Sequence, residues 1–453
     1  MYLSESKTLR ILTLCSLYVA QGMPYGFVSV AFAAWLTQDD RVTLTQLGPI
    51  MAVATLPWSF KFVWGPLMDT VSIRRLGRRR PWIILAQSMA IIALSSLLLS
   101  KDLPGMVWTS KESAPGFWKH IYHVVPGPLA LVILIANVFL SMQDVAVDAL
   151  AVDLVPEQER GTTNGLTYGC SYLGSALGGW GLGLIIAKHG IRAGIIGQSV
   201  FLAVIILLPI LIRERPPGKK ASSEDEDPLA SSEEPDQQSK NIVRNLLRAF
   251  SLRATLLGLA IALGCRICNS VINTVLLDFL RDKDGGDWDM EYYTTVTGGY
   301  ALVAGFLGAT TGGIIADRLG TRRMIITMTL LVSILWLGFG LFPRALYSRS
   351  AMTAFVIGQD FLFGMLLVSL FTLFMSISWP RVAATQFTTY MSIMNLSTTM
   401  GHYISGEAGD SLAKMKHAGI PTVFLTAACI QVLIMIPALF IDPNQTRRVL
   451  GDE

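Results

Sequence analysis

The sequence predicts an all-α polytopic membrane protein, twelve spanning helices arranged as two six-helix bundles. Three observations predict it. The chain is too apolar to cover itself with polar surface, it carries a dozen long apolar stretches, and one loop pattern occurs at the same place in both halves.

Of 453 residues, 52% are hydrophobic and only 15% are charged. Soluble domains carry roughly 25% charged residues, so lipid must take up the excess. The net charge of +4 is small, and no basic patch is interleaved with aromatics, which argues against nucleic acid as a partner. The five cysteines, Cys15, Cys170, Cys265, Cys268 and Cys429, all lie in apolar stretches. Cys265 and Cys268 form a C-x-x-C with no second pair or nearby histidine, so they read as small helix residues, and no metal or cofactor is expected. The first apolar stretch is too long for the ~7–15-residue core of a cleavable signal. It reads as the first spanning helix.

A spanning helix needs roughly 20 mostly apolar residues. The stretches that qualify are 9–36, 43–68, 81–100, 127–155, 162–188, 192–213, 253–281, 293–317, 322–343, 350–379, 382–411 and 419–442. They are too long for barrel strands and lack strict alternation, and only helices or closed barrels satisfy the backbone in lipid. The stretch from Arg213 to Lys240 divides six spans from six. Its middle, ASSEDEDPLASSEEPDQQS, has the acidic, Ser/Pro-rich composition of a disordered linker. The expected organisation is therefore a first bundle over 1–213, a linker over 214–240, and a second bundle over 241–453. The second begins with a basic amphipathic segment, KNIVRNLLRAF, suited to a membrane interface. Arginine and lysine concentrate in the connections after spans 2, 6 and 8 and in the tail. With an even number of spans these share one side, and the excess of positive charge predicts that side, with both termini, to be cytoplasmic.

The connection after span 2 contains Gly65, Asp69, Gly77 and Arg78, Arg79 and Arg80. That after span 8 contains Gly313, Asp317, Gly320, Arg322 and Arg323, with a shorter spacing. Small residues allow neighbouring helices to approach, and an aspartate at the membrane edge can pair with arginine across a tight loop. Such a pair can hold one conformation and release in another. This twofold pattern resembles the loop signature of the major facilitator superfamily. The resemblance implies a central cavity near the membrane midplane, alternating access, and a gate to which Glu157 and Arg160 of VPEQERG contribute. The plain alternative for Glu157 and Arg160 is ordinary interface charge.

Ionisable and polar residues within a span are costly and mark functional positions by default. Lys61 lies two turns before Asp69, and span 4 carries Gln143, Asp144 and Asp148. Asp144 and Asp148 are four apart and share a face, where two carboxylates repel unless a cation or proton intervenes. Lys61 is the natural counter-ion, and the group reads either as a proton-coupling cluster or as a structural ion pair. Span 7 places Arg266, Asn269 and Asn273 on one stripe, suited to lining a cavity for an anionic ligand or a partner carboxylate. Gln359 and Asp360 in span 10, with Gln386, Asn395 and His402 in span 11, are further candidates. Gln21, Tyr25 and Tyr168 complete the expected cavity, the tyrosines as platforms for sugar faces or simply as packing.

At FKFVWGPLMD, GRRRPW, QDVAVDALAVDLVPEQERG and ATQF the chain resembles, more narrowly, the AmpG-type muropeptide permeases, over spans 1 to 11. The related acetyl-coenzyme A transporters share the lysine of span 2 and the QD-x-x-x-D of span 4. This resemblance implies proton-driven import of N-acetylglucosaminyl-1,6-anhydro-N-acetylmuramyl peptides across the inner membrane for cell-wall recycling. Lys61, Gln143, Asp144, Asp148 and Gln386 fall on matching motifs. Two places depart from the pattern. Arg266-Ile267-Cys268-Asn269 stands where those permeases carry Lys-x-Gly-Asp, and Gln359-Asp360 stands where they carry Glu-Asn. The alternative reading is a transporter of another amphipathic anion, such as acetyl-coenzyme A, or of a different sugar-containing solute. A membrane scaffold has no need of two matching switches. An enzyme is disfavoured because no nucleophile elbow, metal cluster or phosphate loop is present. The expected partners are a small glycopeptide, protons and the bilayer, and the architecture is expected to act as a monomer.

Overall fold

The computed structural model describes residues 2–64, 67–68, 79–111, 113–155, 157–214, 244–245, 247–379, 382–408, 419–442 and 445–450. Side chains at 118, 152, 157–165, 168, 317, 383–384, 447 and 450 lie outside that description. The acidic linker expected over 214–240 falls almost wholly outside the described residues, as do Gly65, Asp69 and Arg78 of the expected gate.

The first half holds α1 (Lys7–Leu36), α2 (Leu44–Ser59), α3 (Arg80–Leu99) and α4 (Pro128–Leu154). It continues with α5 (Glu157–Ala176, carried on through a π turn at Leu177–Gly181 to Leu182–His189) and α6 (Ile191–Leu211). The second half holds α7 (Arg253–Arg281), α8 (Met290–Ala316), α9 (Thr321–Leu341), α10 (Arg349–Ile377), α11 (Ala383–Glu407) and α12 (Gly419–Leu439). Ten of these are long and apolar enough to cross a membrane by that measure alone. Of the other two, α2 is described over only 16 residues, and α11 is rich in serine and threonine. They pack together across the two halves, and 13 of the 16 residues of α2 are buried. Helices covered by protein need less apolar surface than helices facing lipid.

Without a hydrophobic drive between helices in lipid, close packing through small residues takes over. On α1, Gly22 and Gly26 face α5, and a Cβ at Gly22 would sit 2.0 Å from the Ser171 carbonyl oxygen. On α5, Gly174 and Gly178 return the fit against the carbonyls of Val19 and Met23. The two halves meet in the same way at one end of the molecule. Gly48 of α2 lies against the backbone of Gly406, and Gly298 of α8 against Gly179 and Trp180 of α5.

That end, opposite the end carrying Arg79, Arg80, Arg322 and Arg323, is further stitched across the halves. The Arg281 Nε donates to the Ala34 carbonyl oxygen at 3.2 Å, and His123 lies 3.2 Å from Glu407. Its buried core runs continuously from Phe27, Leu47 and Ile50 of the first half into Ile272, Val275 and Phe279 of the second. Toward the arginine end the first half keeps a separate core, built on Leu14, Leu17, Ile83 and Leu150. Within the first half, Arg41 ties the loop after α1 to the loop after α3, pairing with Asp39 at 2.8 Å and Asp102 at 2.7 Å. Its hydrogen bonds hold both carboxyls below the usual carboxylate range.

Candidate functional site

Between the halves lies a cavity of about 420 Å³, bounded by α1, α2, α4, α5, α7, α8, α10 and α11. Such a volume falls within the range of small-molecule sites, roughly 300–1,000 Å³. Of the residues expected to line a cavity, Tyr25, Arg266, Asn269, Asn273, Gln359 and Asp360 do so.

The second half supplies the charges on this cavity. Span α7 is interrupted: one helical segment ends at Gly264 and the next begins at Ile267, with Arg266 as its N-cap. The Arg266 backbone N–H donates to the Ser397 hydroxyl of α11 at 3.1 Å, which secures the break. The guanidinium lies over the Phe363 ring of α10, 5.9 Å from its centroid, within range of a cation–π contact. Asn269 and Asn273 follow on the same face of α7. They join a relay of amides that starts on α9. The Trp336 indole N–H donates to Gln359 Oε1 at 2.7 Å, Gln359 Nε2 donates to Asn273 Oδ1 at 2.8 Å, and Asn273 Nδ2 donates to Asn269 Oδ1 at 3.4 Å. An indole can only donate, so it sets the orientation of every amide behind it. The relay ends on Asn269 Nδ2, a buried donor without a partner. The His402 ring of α11, also on the cavity, is hydrogen-bonded through Nδ1 to the Thr274 hydroxyl at 2.7 Å.

The first half keeps its charges away from the cavity wall and pairs them. Past Ser59, α2 gives way to a tighter turn at Lys61–Val63, where the Phe60 N–H donates to the Pro57 carbonyl and the Val63 N–H to the Phe60 carbonyl. Lys61 Nζ there donates to Asp144 Oδ2 at 3.4 Å, with each side chain 19% exposed. The Tyr18 hydroxyl of α1 donates to Asp148 Oδ1 at 2.5 Å. Lys61, Asp144 and Asp148 thus come together as expected for a counter-ion and two carboxylates on one face, with Tyr18 added. Gln143 points elsewhere: its Nε2 donates to Gln87 Oε1 at 3.2 Å, and Gln87 donates to the Leu202 carbonyl, which braces α4 on α3 and α6.

The remaining candidates are dispersed. Gln386 is fully buried away from the cavity, accepting from the Trp379 N–H at 2.7 Å and donating to Thr255 at 3.3 Å, and so braces the α10–α11 turn against α7. Asn395 donates to the Trp58 carbonyl at 3.3 Å and joins α11 to α2. Gln21 is partly buried, with its Nε2 unpartnered, outside the cavity lining. The side chains of Tyr168, Glu157, Arg160 and Asp317 lie outside the described residues. Of the gate arginines, Arg79 pairs with Asp153 at 2.9 Å, Arg80 donates to the Pro209 and Ile210 carbonyls, Arg322 donates to the Leu439 carbonyl, and Arg323 is exposed.

Several lining residues escaped the sequence reading, among them Asn137, Ser171, Tyr172, Ser175 and Tyr293. A signal for the first was present. Asn137, Asp144 and Asp148 are spaced seven and four apart, one continuous stripe of α4 running from the cavity to the charge cluster.

Residues 14–402 match the Major Facilitator Superfamily. The chain belongs to that family. It is similar to the anhydromuropeptide permease of Escherichia coli (strain K12), 24% identical over 439 residues, 96% of this chain and 80% of that protein. The fold is similar to that of a D-xylose-proton symporter (TM-score 0.69, 13% identity, covering 97% of this chain and 99% of that one). It is similar also to a bacterial homologue of the lysosomal transporter Spinster in an inward-facing conformation (TM-score 0.67, 14% identity, covering 99% of each). The chain is a multi-pass membrane transporter of that superfamily, not an enzyme.

Proposed function

We propose that this transporter carries anhydromuropeptides from periplasm to cytoplasm in symport with protons. It would sit in the inner membrane, act as a monomer, and place both termini and the arginine end in the cytoplasm. The observation that carries the substrate is the similarity over 96% of the chain to a permease of that name. The cavity supports it, since tyrosines and small hydroxyls from the first half face amides and charges from the second, a mixture suited to a ligand with sugar and peptide parts. Proton coupling is supported by Lys61, Asp144, Asp148 and Tyr18, a cluster on the α4 stripe that reaches the cavity at Asn137. Alternating access follows from the stitched far end, which must part to admit a ligand from that side.

The test is uptake of labelled N-acetylglucosaminyl-anhydromuramic acid, with and without peptide, into vesicles holding the protein. A proton gradient should accelerate uptake. No uptake of either form by well-folded protein rules out the substrate, and uptake indifferent to the gradient rules out the coupling.

A further inference from the structure

The cavity holds two residues of opposite charge that do not close into an ion pair. Arg266 of α7 and Asp360 of α10 both line it. Phe363 stands one turn beyond Asp360, and residues three apart share a helix face. Because Arg266 lies over the Phe363 ring, its guanidinium and the Asp360 carboxyl look onto the same space. Among the described residues, however, neither side chain takes part in an ion pair, and Asp360 accepts no hydrogen bond. Arg266 Nε is buried without a partner. The first half behaves in the opposite way, with Lys61 on Asp144 and Tyr18 on Asp148.

An unpaired charge within a span is costly, and a pair that merely held α7 to α10 would close to contact. The amide relay adds a direction. Trp336 can only donate, so its chain through Gln359 and Asn273 ends on Asn269 Nδ2, 3% exposed and without an acceptor. Asn269 follows Arg266 by three residues, so donors that want an acidic acceptor stand together on α7. A carboxylate that wants a cation stands opposite on α10.

We propose that this face binds the zwitterionic end of an amino acid or peptide. The ligand carboxylate sits on Arg266 and Asn269, and its ammonium on Asp360. The inference rests on the proposed function for the rest of the ligand, and sharpens it by giving the peptide, not the sugar, to α7 and α10.

Binding to the full chain in lipid nanodiscs, measured by calorimetry, tests it. The probes are an anhydro-disaccharide tripeptide with a free amine and carboxylate at its end, the same compound with the amine acetylated, the same with the carboxylate methylated, and the tripeptide alone. Either block should weaken binding by about tenfold or more, as loss of a charge-assisted hydrogen bond implies. D360N should abolish discrimination against the acetylated probe alone, and R266Q discrimination against the ester alone. A structural role would shift all probes together.

Equal affinity for free and blocked probes in the unmodified protein overturns the proposal, needs no variant to fold, and leaves muropeptide transport standing. Charge-selective binding of the free tripeptide, with no uptake of any disaccharide, supports this subsite and sinks the substrate reading instead. Binding of neither peptide-bearing probe nor tripeptide also overturns it.

Discussion

The two halves share an architecture and treat charge in opposite ways. In the first, Lys61 meets Asp144 at 3.4 Å, and Tyr18 meets Asp148 at 2.5 Å, off the cavity wall. In the second, Arg266 and Asp360 line the cavity and make no ion pair among the described residues. Paired charges in a low-dielectric region hold a state, and breaking them requires a proton or a competing charge. Unpaired charges on a cavity wall await a ligand. The division fits a transporter whose first half handles coupling and whose second half handles recognition.

The largest expected effect breaks the first half. Asp144→Asn and Lys61→Ala should each abolish uptake while leaving membrane insertion intact. Removing one partner of a fully buried pair costs about 3–5 kcal/mol, and at 19% exposure of each side chain the loss should fall toward the lower end. Reversal of the pair, Lys61→Asp with Asp144→Lys, should recover part of the uptake if mutual charge is what matters. Near-normal uptake by both single variants would reduce the pair to packing and erase the contrast between the halves.

Tyr18→Phe is the next step down. It removes one hydroxyl and leaves the ring, so Asp148 loses a charged hydrogen bond of about 1.5–3 kcal/mol. Uptake driven by a proton gradient should fall about tenfold, while exchange of substrate without a gradient should hardly change. An equal fall in both would place Tyr18 in the packing of α1 on α4 rather than in coupling.

Much of this contrast was legible in the residues. Twelve spans and their approximate limits follow from apolar length, the shared face of Asp144 and Asp148 from a spacing of four on one helix, and Lys61 as their counter-ion from the placement of spans 2 and 4 in the same half. The stripe of Arg266, Asn269 and Asn273 follows from helical period alone. What a sequence cannot carry is the register between helices. Gln143 and Gln386 are polar within spans and read as members of the charge cluster and of the cavity wall, but polarity in a span says only that the side chain avoids lipid. Both brace one helix on another. Trp336 gives the opposite lesson: an apolar-looking residue of α9 sets the orientation of three amides on α10 and α7. That role appears only when the helices are assembled.

Trp336→Phe therefore makes the finest test of the comparison. The ring still fills its buried place, but the indole N–H no longer fixes Gln359. Freed, that amide can turn its oxygen toward Asn273, and the relay can reverse to present an acceptor in place of the Asn269 donor. A typical buried hydrogen bond contributes about 0.5–1.5 kcal/mol, so the change should raise KM by about two- to tenfold. The maximal rate should hold if coupling resides in the other half, as proposed. Gln359→Leu, which removes the relay's middle member, should raise KM at least as much. A fall in maximal rate at unchanged KM would mean that α9 and α10 move during transport and that the relay serves the motion. Recognition and coupling would then no longer divide between the two halves.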